Sequence, residues 1–339
     1  MKIIITGDLH IKLYGDKQRS SEGLPLRLIE IISVIKQMCE YARNNDISKI
    51  VIAGDTNDLK NIVHVDAFVM LKEILETYHD IEFIFLHGNH DSSAKGSYKS
   101  AIELLRGPEN ITVITEATTG LLPGIAFVPY SNHIIEDLES IKDDESKVLI
   151  SHFGLSDAVL SSGISLRTRL SSRDLDKYET VILGHYHKPQ QIGKCYYVGS
   201  PIQLRRDEAE EEKRFLILDT TDCNIVSEPT LGYRKYHELV IEDIKDHKKI
   251  IKLAKELQEQ GHYVRIHNKT EDNMSKKVED IIILEEFKPE HQIRGITTAM
   301  SLEAQVDKFM EIEEVPMEDR DYYKTILSGI LARRNEQKE

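Results

Sequence analysis

Two histidines one residue apart, His185 and His187, follow the apolar run Thr180–Leu183 and Gly184. The run is typical of a buried strand, and residues i and i+2 of an extended chain point the same way. Both imidazoles can therefore face one point beyond the end of the strand, as half of a metal site requires. Taken alone, the pair is equally compatible with two histidines in a solvated loop.

The same arrangement recurs at other strand ends. Five predicted strands are each followed by side chains that bind metals, namely Asp8 and His10, Asp55, Asn89 and His90, His152, and His185 and His187. In open α/β sheets, sites form beyond the carboxyl ends of the strands. Singly, the aspartates are compatible with turn residues or helix caps, and His152 with a buried core histidine. As a set, these residues predict a two-metal site.

The ligand types indicate the chemistry of that site. Oxygen ligands combined with imidazoles suit Mn²⁺, Fe²⁺ or Zn²⁺ better than Ca²⁺, and the lack of cysteine ligands argues against a closed structural zinc site. Two ions bridged by a carboxylate, about 3.5–4 Å apart, lower the pKa of a bound water and neutralise charge on phosphoryl oxygens. A histidine outside the ligand set can orient the phosphate and protonate the leaving oxygen.

Strands and helices in alternation must position these residues. Strands are predicted at Lys2–Thr6, Lys49–Ala53, Ile81–Leu86, Ile111–Ile114, Ile125–Pro129, Lys147–His152, Thr180–Leu183, Cys195–Pro201 and Arg214–Asp219. Helices are predicted from Pro25 to about Asn45, at His64–Tyr78 and at Ser97–Leu105. The alternation predicts an α/β fold.

Composition narrows the class of protein. A chain of 339 residues predicts one large domain and a smaller one. The three cysteines are scattered, which indicates a reducing compartment. No apolar run is long enough to span a membrane, and Met1 leads directly into a strand rather than a signal peptide, so we expect a cytoplasmic protein. The net charge of −14 argues against coating nucleic acid by bulk charge.

The motifs resemble those of a known family. Asp8-x-His10, Gly54-Asp55-x-x-Asp58, Gly88-Asn89-His90-Asp91, His152 and Gly184-His185-x-His187 are similar in order and spacing to the five motifs of the calcineurin-like metallophosphoesterases. Within that superfamily the chain is most similar to the SbcD-type nucleases, the bacterial and phage counterparts of the meiotic recombination eleven nuclease. The finer similarity lies in Leu183–Gln190, Tyr197–Pro201 and the strand Arg214–Asp219. The resemblance implies a two-sheet sandwich flanked by helices, with a small α+β capping domain and a C-terminal helical segment.

The resemblance also implies a role for each motif residue. One metal would be held by Asp8, His10, Asp55 and His187, and the other by Asp55, Asn89, His152 and His185, with Asp55 bridging. His90 would contact the scissile phosphate and act as the acid, and Asp91 would orient His90. The implied cofactors are two divalent ions, Mn²⁺ first and Mg²⁺ as the alternative.

Two positions depart from the family pattern. Lys12 stands where family members often have a glycine, and Thr56 and Asn57 stand where bulky apolar residues are usual. Neither departure touches a ligand, and both bear on the substrate loops and partner packing. Basic side chains that could fringe the site are compatible with DNA contacts or with a solvated surface, namely Lys12, Lys17, Arg19, Arg167, Arg169, Arg205 and Arg206.

The resemblance divides the chain into a nuclease domain at 1–230, a DNA-capping domain at 231–292 and a helical segment at 293–339 that binds the ATPase partner. The residues alone predict strands at Tyr236–Ile241, Tyr263–His267 and Val278–Leu284 with a helix at Asp246–Gln260, a small α+β module. Two terminal helices are predicted at Ser301–Ile312 and Glu318–Arg333. Their apolar stripes suit a partner surface or simply a core.

We therefore expect a metal-dependent DNA nuclease with double-strand exonuclease and single-strand endonuclease activity. It would process DNA ends in recombination, replication and double-strand-break repair with an SbcC-type coiled-coil ATPase, in a bacterial cell or a phage-infected host. By analogy it would be a homodimer, with the helices His64–Tyr78 and Ser97–Leu105 as the dimer surface. The alternatives are a small-molecule phosphodiesterase or protein phosphatase on the same scaffold, and a regulatory subunit whose site has decayed.

Overall fold

The structure, a computed structural model, describes residues 1–15, 18–93, 99–270, 282–285 and 300–312, together with 316, 320 and 324. Its internal contacts divide the chain into two compact units. The first unit holds residues 1–238 and 257–264, and the second holds residues 239–256 and the described residues from 265 onward.

The first unit contains a six-stranded sheet in which three neighbouring pairs are parallel. Its strands are β1 (Lys2–Thr6), β2 (Lys49–Ile52), β3 (Glu82–Leu86), β4 (Ile111–Ile114), β11 (Arg214–Asp219) and β12 (Asn224–Pro229). The order is β12-β11-β1-β2-β3-β4. Strands β1 to β4 are parallel to one another, β11 is antiparallel to β1, and β12 is antiparallel to β11. The carboxyl ends of β1, β2 and β3 therefore lie at the same edge.

A second six-stranded sheet belongs to the same unit. Its strands are β5 (Thr118–Leu122), β6 (Ile125–Val128), β7 (Val148–His152), β8 (Thr180–Gly184), β9 (Gln190–Ile192) and β10 (Cys195–Tyr197). The order is β5-β6-β7-β8-β10-β9, with β6, β7, β8 and β10 parallel. The edge strands β5 and β9 run antiparallel to their neighbours.

Alternate residues of each strand are buried on opposite faces, which makes three apolar layers. Ile3 and Ile5 of β1 pack between the two sheets with Phe127 of β6 and Ile150 of β7. Ile4 faces the other way, into the layer under the helices. Strands buried on both faces are nearly continuous apolar runs, and this is why the sequence pattern predicted them.

Helices cover the outer face of the first sheet. They are α1 (Leu26–Asn44) and α2 (Val65–Thr77), and the short α3 (Ile134–Ser140) lies by the second sheet. The bounds of α1 and α2 agree with the sequence pattern within a residue. The helix expected at Ser97–Leu105 is a 3-10 helix at Ala101–Leu105, and residues 94–98 lie outside the described part. The pattern did not predict α3, β5, β9 or β12.

The third sheet has the order β13-β14-β15, with β13 (Tyr236–Ile241), β14 (Tyr263–Asn268) and β15 (Ile282–Glu285). The helix α4 (His247–Glu259) lies between β13 and β14 in sequence, and α5 (Leu302–Ile312) follows. The helix expected at Glu318–Arg333 lies outside the described residues except for 320 and 324. The expected α/β class with two layered sheets is confirmed. Among the described helices, none has the length and apolar character that a bilayer crossing requires.

Candidate metal centre

Strand ends from both sheets meet at one edge of the first unit. The backbone N–H of His185, after β8, donates to both carboxylate oxygens of Asp8, after β1, over 3.0 and 3.1 Å. Nδ1 of His152, at the end of β7, donates to the carbonyl oxygen of Ala53, after β2, over 2.8 Å. These bonds join the first sheet to the second, so they fix the distance between the two sets of strand ends.

The close approach of the two sheets requires a glycine at position 184. A Cβ atom there would collide with the carbonyl oxygen of Ala53 and would lie 2.8 Å from Nδ1 of His152. Only a residue without a side chain lets β8 pass beside Ala53 and deliver His185 to the edge.

Four candidate ligands have a left-handed backbone, with φ angles of 52° at Asp8, 47° at His10, 51° at Asp55 and 92° at His185. Such a conformation costs about 1–3 kcal/mol for a residue other than glycine. The N–H groups of Asp8 and His10 donate to the carbonyl oxygens of Gly54 and Asp55 over 3.0 Å, which holds these turns in place. Among the described residues other than glycine, half of the eight with a left-handed backbone are therefore candidate ligands.

Asp8, His10 and His187 form a first group, with one ligand atom of each within 4.8 Å of the others. Nε2 of His10 lies 3.0 Å from Nε2 of His187. Nδ1 of His10 lies 3.1 Å from the carboxylate of Asp58, and Nδ1 of His187 lies 2.8 Å from the carboxylate of Glu208. Each Nδ1 thus faces a carboxylate, so the two Nε2 atoms face each other inside the group. Burial lowers the pKa of His10. Burial also lowers the pKa of His187, but the carboxylates of Glu208 and Asp8 outweigh burial and raise that pKa.

Asp55, Asn89, His152 and His185 form a second group. Oδ1 of Asn89 lies 2.8 Å from Nδ1 of His185 and 3.1 Å from Nε2 of His152, and Oδ1 of Asp55 lies 3.3 Å from the same Nε2. Burial lowers the pKa of His185 to about 3, so this imidazole is neutral at pH 7. Burial also lowers the pKa of His152, but the Asp55 carboxylate outweighs burial and raises that pKa to about 9.

Asp55 touches both groups. Its Oδ2 lies 3.7 Å from Nε2 of His10 in the first group, while its Oδ1 faces His152 in the second. Burial raises the pKa of Asp55, but the neighbouring His152 and His10 outweigh burial and hold the pKa far below its ordinary value. The carboxylate is therefore ionised, and its two oxygens point to different groups, as a bridging ligand requires.

The chemistry of the two groups fits divalent cations. Carboxylate, amide and imidazole atoms converge on two points, and a proton or a cation bound between them stabilises such an arrangement. The donor set suits Mn²⁺, Fe²⁺ or Zn²⁺. Asp8, His10, Asp55 and His152 are buried, whereas Asn89, His185 and His187 are half-buried, so the centre opens to solvent on their side.

His90 lies beside the first group, and its ring centroid is 4.8 Å from that of His10. Its backbone N–H donates to Oδ1 of Asp55 over 2.8 Å, and its Nδ1 lies 2.5 Å from the carbonyl oxygen of Asp58. The orienting contact that the resemblance gave to Asp91 is thus made by Asp58.

Asp91 instead holds the loops together. Its carboxylate accepts the backbone N–H groups of Asn57 and Gly88, each over 2.8 Å. Burial and the nearby charge of Asp55 raise the pKa of Asp91 to about 7. The residue fixes the loop after β2 against the loop after β3, so its effect on His90 is indirect.

Among the basic residues singled out from the sequence, Lys12 and Arg19 near the N-terminus have partners within the chain. The ammonium group of Lys12 lies 2.8 Å from the carboxylate of Asp58, which ties it to the centre. Arg19 donates to the carbonyl oxygen of Gly23 over 2.7 Å. Lys17 lies outside the described residues.

Arg167 and Arg169 lie on another side of the centre, in a cleft. Both line a cleft that also contains His185, so they flank the second group of candidate ligands. Arg206 pairs instead with Glu238 over 3.7 Å, and the side chain of Arg205 is exposed.

Sequence reasoning missed the support under His187. Glu208 is buried, and its Oε1 accepts the hydrogen on Nδ1 of His187. Its Oε2 lies 2.8 Å from the ammonium group of Lys213. Burial raises the pKa of Glu208, but His187 and Lys213 outweigh burial and lower that pKa to about 2. Glu208 lies in a short 3-10 turn without apolar periodicity, so the pattern gave no sign of this contact.

Residues 1–189 match the family model of the calcineurin-like phosphoesterases. The chain belongs to this family. The chain is also 27% identical over 248 residues to "Exonuclease subunit 1" of Enterobacteria phage T4, and the match covers 70% of each protein. The resemblance of the motifs is therefore confirmed, and the chain is a phosphoesterase by family.

Solved structures with similarity to this phosphoesterase include a novel archaeal phosphodiesterase, at 12% identity and a TM-score of 0.35 over 68% of this chain and 99% of that one. The protein TT1561 of Thermus thermophilus matches at 12% identity and a TM-score of 0.40, over 68% and 99%. The nuclease MPE of Pseudomonas putida matches at 11% identity and a TM-score of 0.31, over 69% and 78%.

The first prediction concerns the candidate bridge. Asp55→Asn should abolish phosphoester hydrolysis and weaken both metal sites by more than roughly 100-fold, beyond the usual loss for an outer-shell change. The reason is that one amide oxygen cannot replace two charged oxygens facing two groups. Calorimetric titration with Mn²⁺ measures the affinity. Asp46→Asn is the matched control, because Asp46 is exposed and has the same left-handed backbone, with a φ of 55°. Two metals bound at wild-type affinity by Asp55→Asn would reject the bridging role.

The second prediction concerns the support under His187. Glu208→Gln removes the charge that anchors Nδ1 of His187, so Mn²⁺ affinity should fall roughly 10–100-fold. Glu211→Gln is the matched control, because Glu211 also pairs with Lys213, over 2.7 Å, and its carboxylate makes no contact with His187 among the described residues. Both variants should have a lower melting temperature, because each removes a carboxylate that pairs with the buried Lys213. Only Glu208→Gln should bind metal more weakly. An equal loss of metal in the two variants would show that Glu208 acts through stability alone.

Proposed function

We propose that this phosphoesterase is a metal-dependent DNA nuclease that removes nucleotides from duplex ends and cuts single strands internally. The observation that carries the proposal is the convergence of seven candidate ligands on two groups that share Asp55. The phage T4 relative is named an exonuclease subunit, which supports DNA as the substrate class. The cellular process would be the repair, replication or recombination of DNA, in the cytoplasm of a bacterium or a phage-infected host.

The proposed ligands are Asp8, His10, Asp55 and His187 for one ion, and Asp55, Asn89, His152 and His185 for the other. Bound divalent ions, Mn²⁺ or alternatively Mg²⁺, would supply Lewis-acid activation of water and neutralise charge on the phosphoryl oxygens. The chain itself fixes the orientation of each ring. The carbonyl oxygen of Ala53 accepts a hydrogen bond from the outer nitrogen of His152. The carboxylate of Asp58 faces the outer nitrogen of His10, and the carboxylate of Glu208 faces that of His187.

His90 is the proposed acid. Because the carbonyl oxygen of Asp58 accepts its Nδ1 hydrogen, Nε2 is the atom left to face substrate. From Nε2 the imidazole can donate a proton to the leaving oxygen. Asp58 therefore positions His90 and His10 together.

The third prediction tests the substrate class. With Mn²⁺ the protein should cleave an end-labelled duplex and a circular single strand, and it should also hydrolyse a chromogenic phosphodiester. A metal chelator should stop all three reactions, and adding Mn²⁺ back should restore them. Product lengths on a sequencing gel distinguish removal of end nucleotides from internal cuts. Hydrolysis of the small ester without cleavage of either DNA would favour a small-molecule phosphodiesterase.

The fourth prediction separates proton transfer from metal binding. His90→Ser should keep Mn²⁺ affinity, since the two groups are complete without its ring, and should lose turnover by about 10²–10⁴-fold. The exposed His79 just after α2 provides the control variant His79→Ser, which should behave as the unchanged protein. The readouts are calorimetry for the metal and single-turnover cleavage for the chemistry. Normal turnover in His90→Ser, or loss of metal, would contradict the role as acid.

We further propose that residues 231–292 cap the DNA and that residues 293–339 bind the coiled coil of an SbcC-type ATPase. The apolar stripe of α5 supports a partner site in part. Phe309 is 49% exposed although it is a large apolar side chain, whereas Met310 beside it is buried. One side of the helix thus contributes to a core, and another is available to a second protein.

A homodimer is proposed on the exposed face of α2. Val65 and Val69 are 73% and 48% exposed, and their i, i+4 spacing places them on one side of the first turns of the helix. Ile62, 51% exposed, precedes the helix. Leu104 of the 3-10 helix is 61% exposed. Large apolar side chains that line up on a surface are typical of interfaces between proteins.

The fifth prediction tests this face. Val65→Glu with Val69→Glu should convert a dimer into a monomer, because each subunit would then present buried charge at a two-fold contact. Sedimentation velocity over a range of concentrations measures the change. Thr77→Glu, also exposed on α2, is the control and should leave the dimer intact. An unchanged sedimentation coefficient in the double variant would place any dimer contact elsewhere.

A further inference from the structure

A cleft of about 330 Å³ adjoins the candidate metal centre and shares His185 with it. Aromatic and aliphatic side chains form its inner wall, and two arginines line it as well. The volume is at the lower end of the range for small-ligand pockets, about 300–1,000 Å³. The cleft therefore suits one small molecule or one unit of a polymer that also reaches the metals.

The inner wall is apolar and fixed. Tyr186 and Phe153 are 3% and 5% exposed, and the ring of Tyr186 stacks on that of Tyr197 at 5.0 Å between centroids. Tyr186 also lies next to His185, with ring centroids 5.1 Å apart. A flat ring resting on this wall would thus lie beside a candidate ligand of the second metal.

The loop before Leu170 also lines the cleft, and hydrogen bonds hold this loop. The N–H of Ser156 donates to the carbonyl oxygen of Leu170 over 2.9 Å. The side-chain amide of Gln190 bonds both the N–H and the carbonyl of Val159, over 2.9 and 2.8 Å. Leu166, 45% exposed, lines the cleft from this loop.

The arginines on this loop have no compensating charge. Arg167 and Arg169 are exposed, and across the part of the chain that the structure describes neither forms an ion pair. Two such guanidinium groups next to an apolar wall complement an anion attached to a flat apolar ring. A guanidinium group can donate two parallel hydrogen bonds to two oxygens of one phosphate. Every nucleobase can stack on an aromatic or apolar surface.

We propose that this cleft binds one unpaired nucleotide of the DNA strand, next to the phosphate that is cleaved. The base rests against Phe153, Tyr186 and Leu166, and Arg167 and Arg169 bind the adjoining phosphate. The inference rests on the proposed nuclease function and narrows its substrate. A base that enters the cleft has to leave the stack of a duplex, so frayed ends and single strands are preferred over intact duplex.

Direct binding tests the cleft without relying on cleavage. The probes are thymidine 5′-monophosphate and 2-deoxyribose 5-phosphate, which share the sugar phosphate and differ only in the base. Calorimetric titration of the Mn²⁺-loaded protein should show about tenfold tighter binding of the nucleotide. Leu166→Ala should reduce that ratio by roughly threefold or more, because it removes apolar contact with the base alone.

Arg167→Ala combined with Arg169→Ala should weaken both probes equally, since both carry phosphate. Ile164→Ala and Arg173→Ala are the matched controls, because both residues are exposed nearby and neither lines the cleft. Both control variants should bind as the unchanged protein does.

Equal affinity for the two probes, or an unchanged ratio in Leu166→Ala, would overturn the cleft as a base site. DNA cleavage accompanied by equal affinity for the probes would contradict the cleft and leave the nuclease standing. The expected binding pattern in a protein that cleaves no DNA would support the cleft and contradict the nuclease.

Discussion

The burial of the Asp55 carboxylate is the constraint on which the rest of the site depends. An ionised carboxylate taken out of water costs several kcal/mol unless opposite charges and hydrogen bonds compensate it. Here the N–H of His90 and the imidazoles of His152 and His10 provide that compensation. The three residues come from the ends of β3, β7 and β1, so the carboxylate is satisfied only when both sheets are in register.

A second constraint follows from the first. Imidazoles gathered around a carboxylate can bind a cation only if the correct nitrogen faces inward. His152, His10 and His187 each have the outer nitrogen fixed by a different acceptor, namely a backbone carbonyl and the carboxylates of Asp58 and Glu208. Such outer contacts set the tautomer and the ring orientation before any ligand binds. The left-handed turns and the burial of the charged groups cost stability, and the apolar layer between the sheets offsets that cost.

The sequence predicted those features that depend on local pattern. The buried strands β1, β2, β3, β7 and β8 are apolar runs, and because parallel strands end at a common edge, the ligand types after them indicated a shared site. The edge strands β5, β9 and β12 were missed, because their sequences carry little apolar pattern. The contact between Glu208 and His187 was also missed, because their separation in the sequence does not indicate that the two side chains are close in space. The position of Arg167 and Arg169 depends on the path of a loop that hydrogen bonds hold, among them those of Gln190 and Ser156, and these contacts join residues that the sequence pattern does not pair.

The strong negative charge of the chain and a DNA substrate are compatible because the positive groups are local. Within the described residues, Asp8 and Asp55 are buried in the centre, where they face imidazoles and would face divalent ions rather than DNA. Bound ions would reverse the sign of the potential at that edge of the sheet. Arg167 and Arg169 lie on the same side, in the cleft that contains His185. At the proposed nuclease site a DNA strand would therefore meet positive charge, whereas the chain as a whole has a net charge of −14, so binding confined to the site is favoured over nonspecific coating of the duplex.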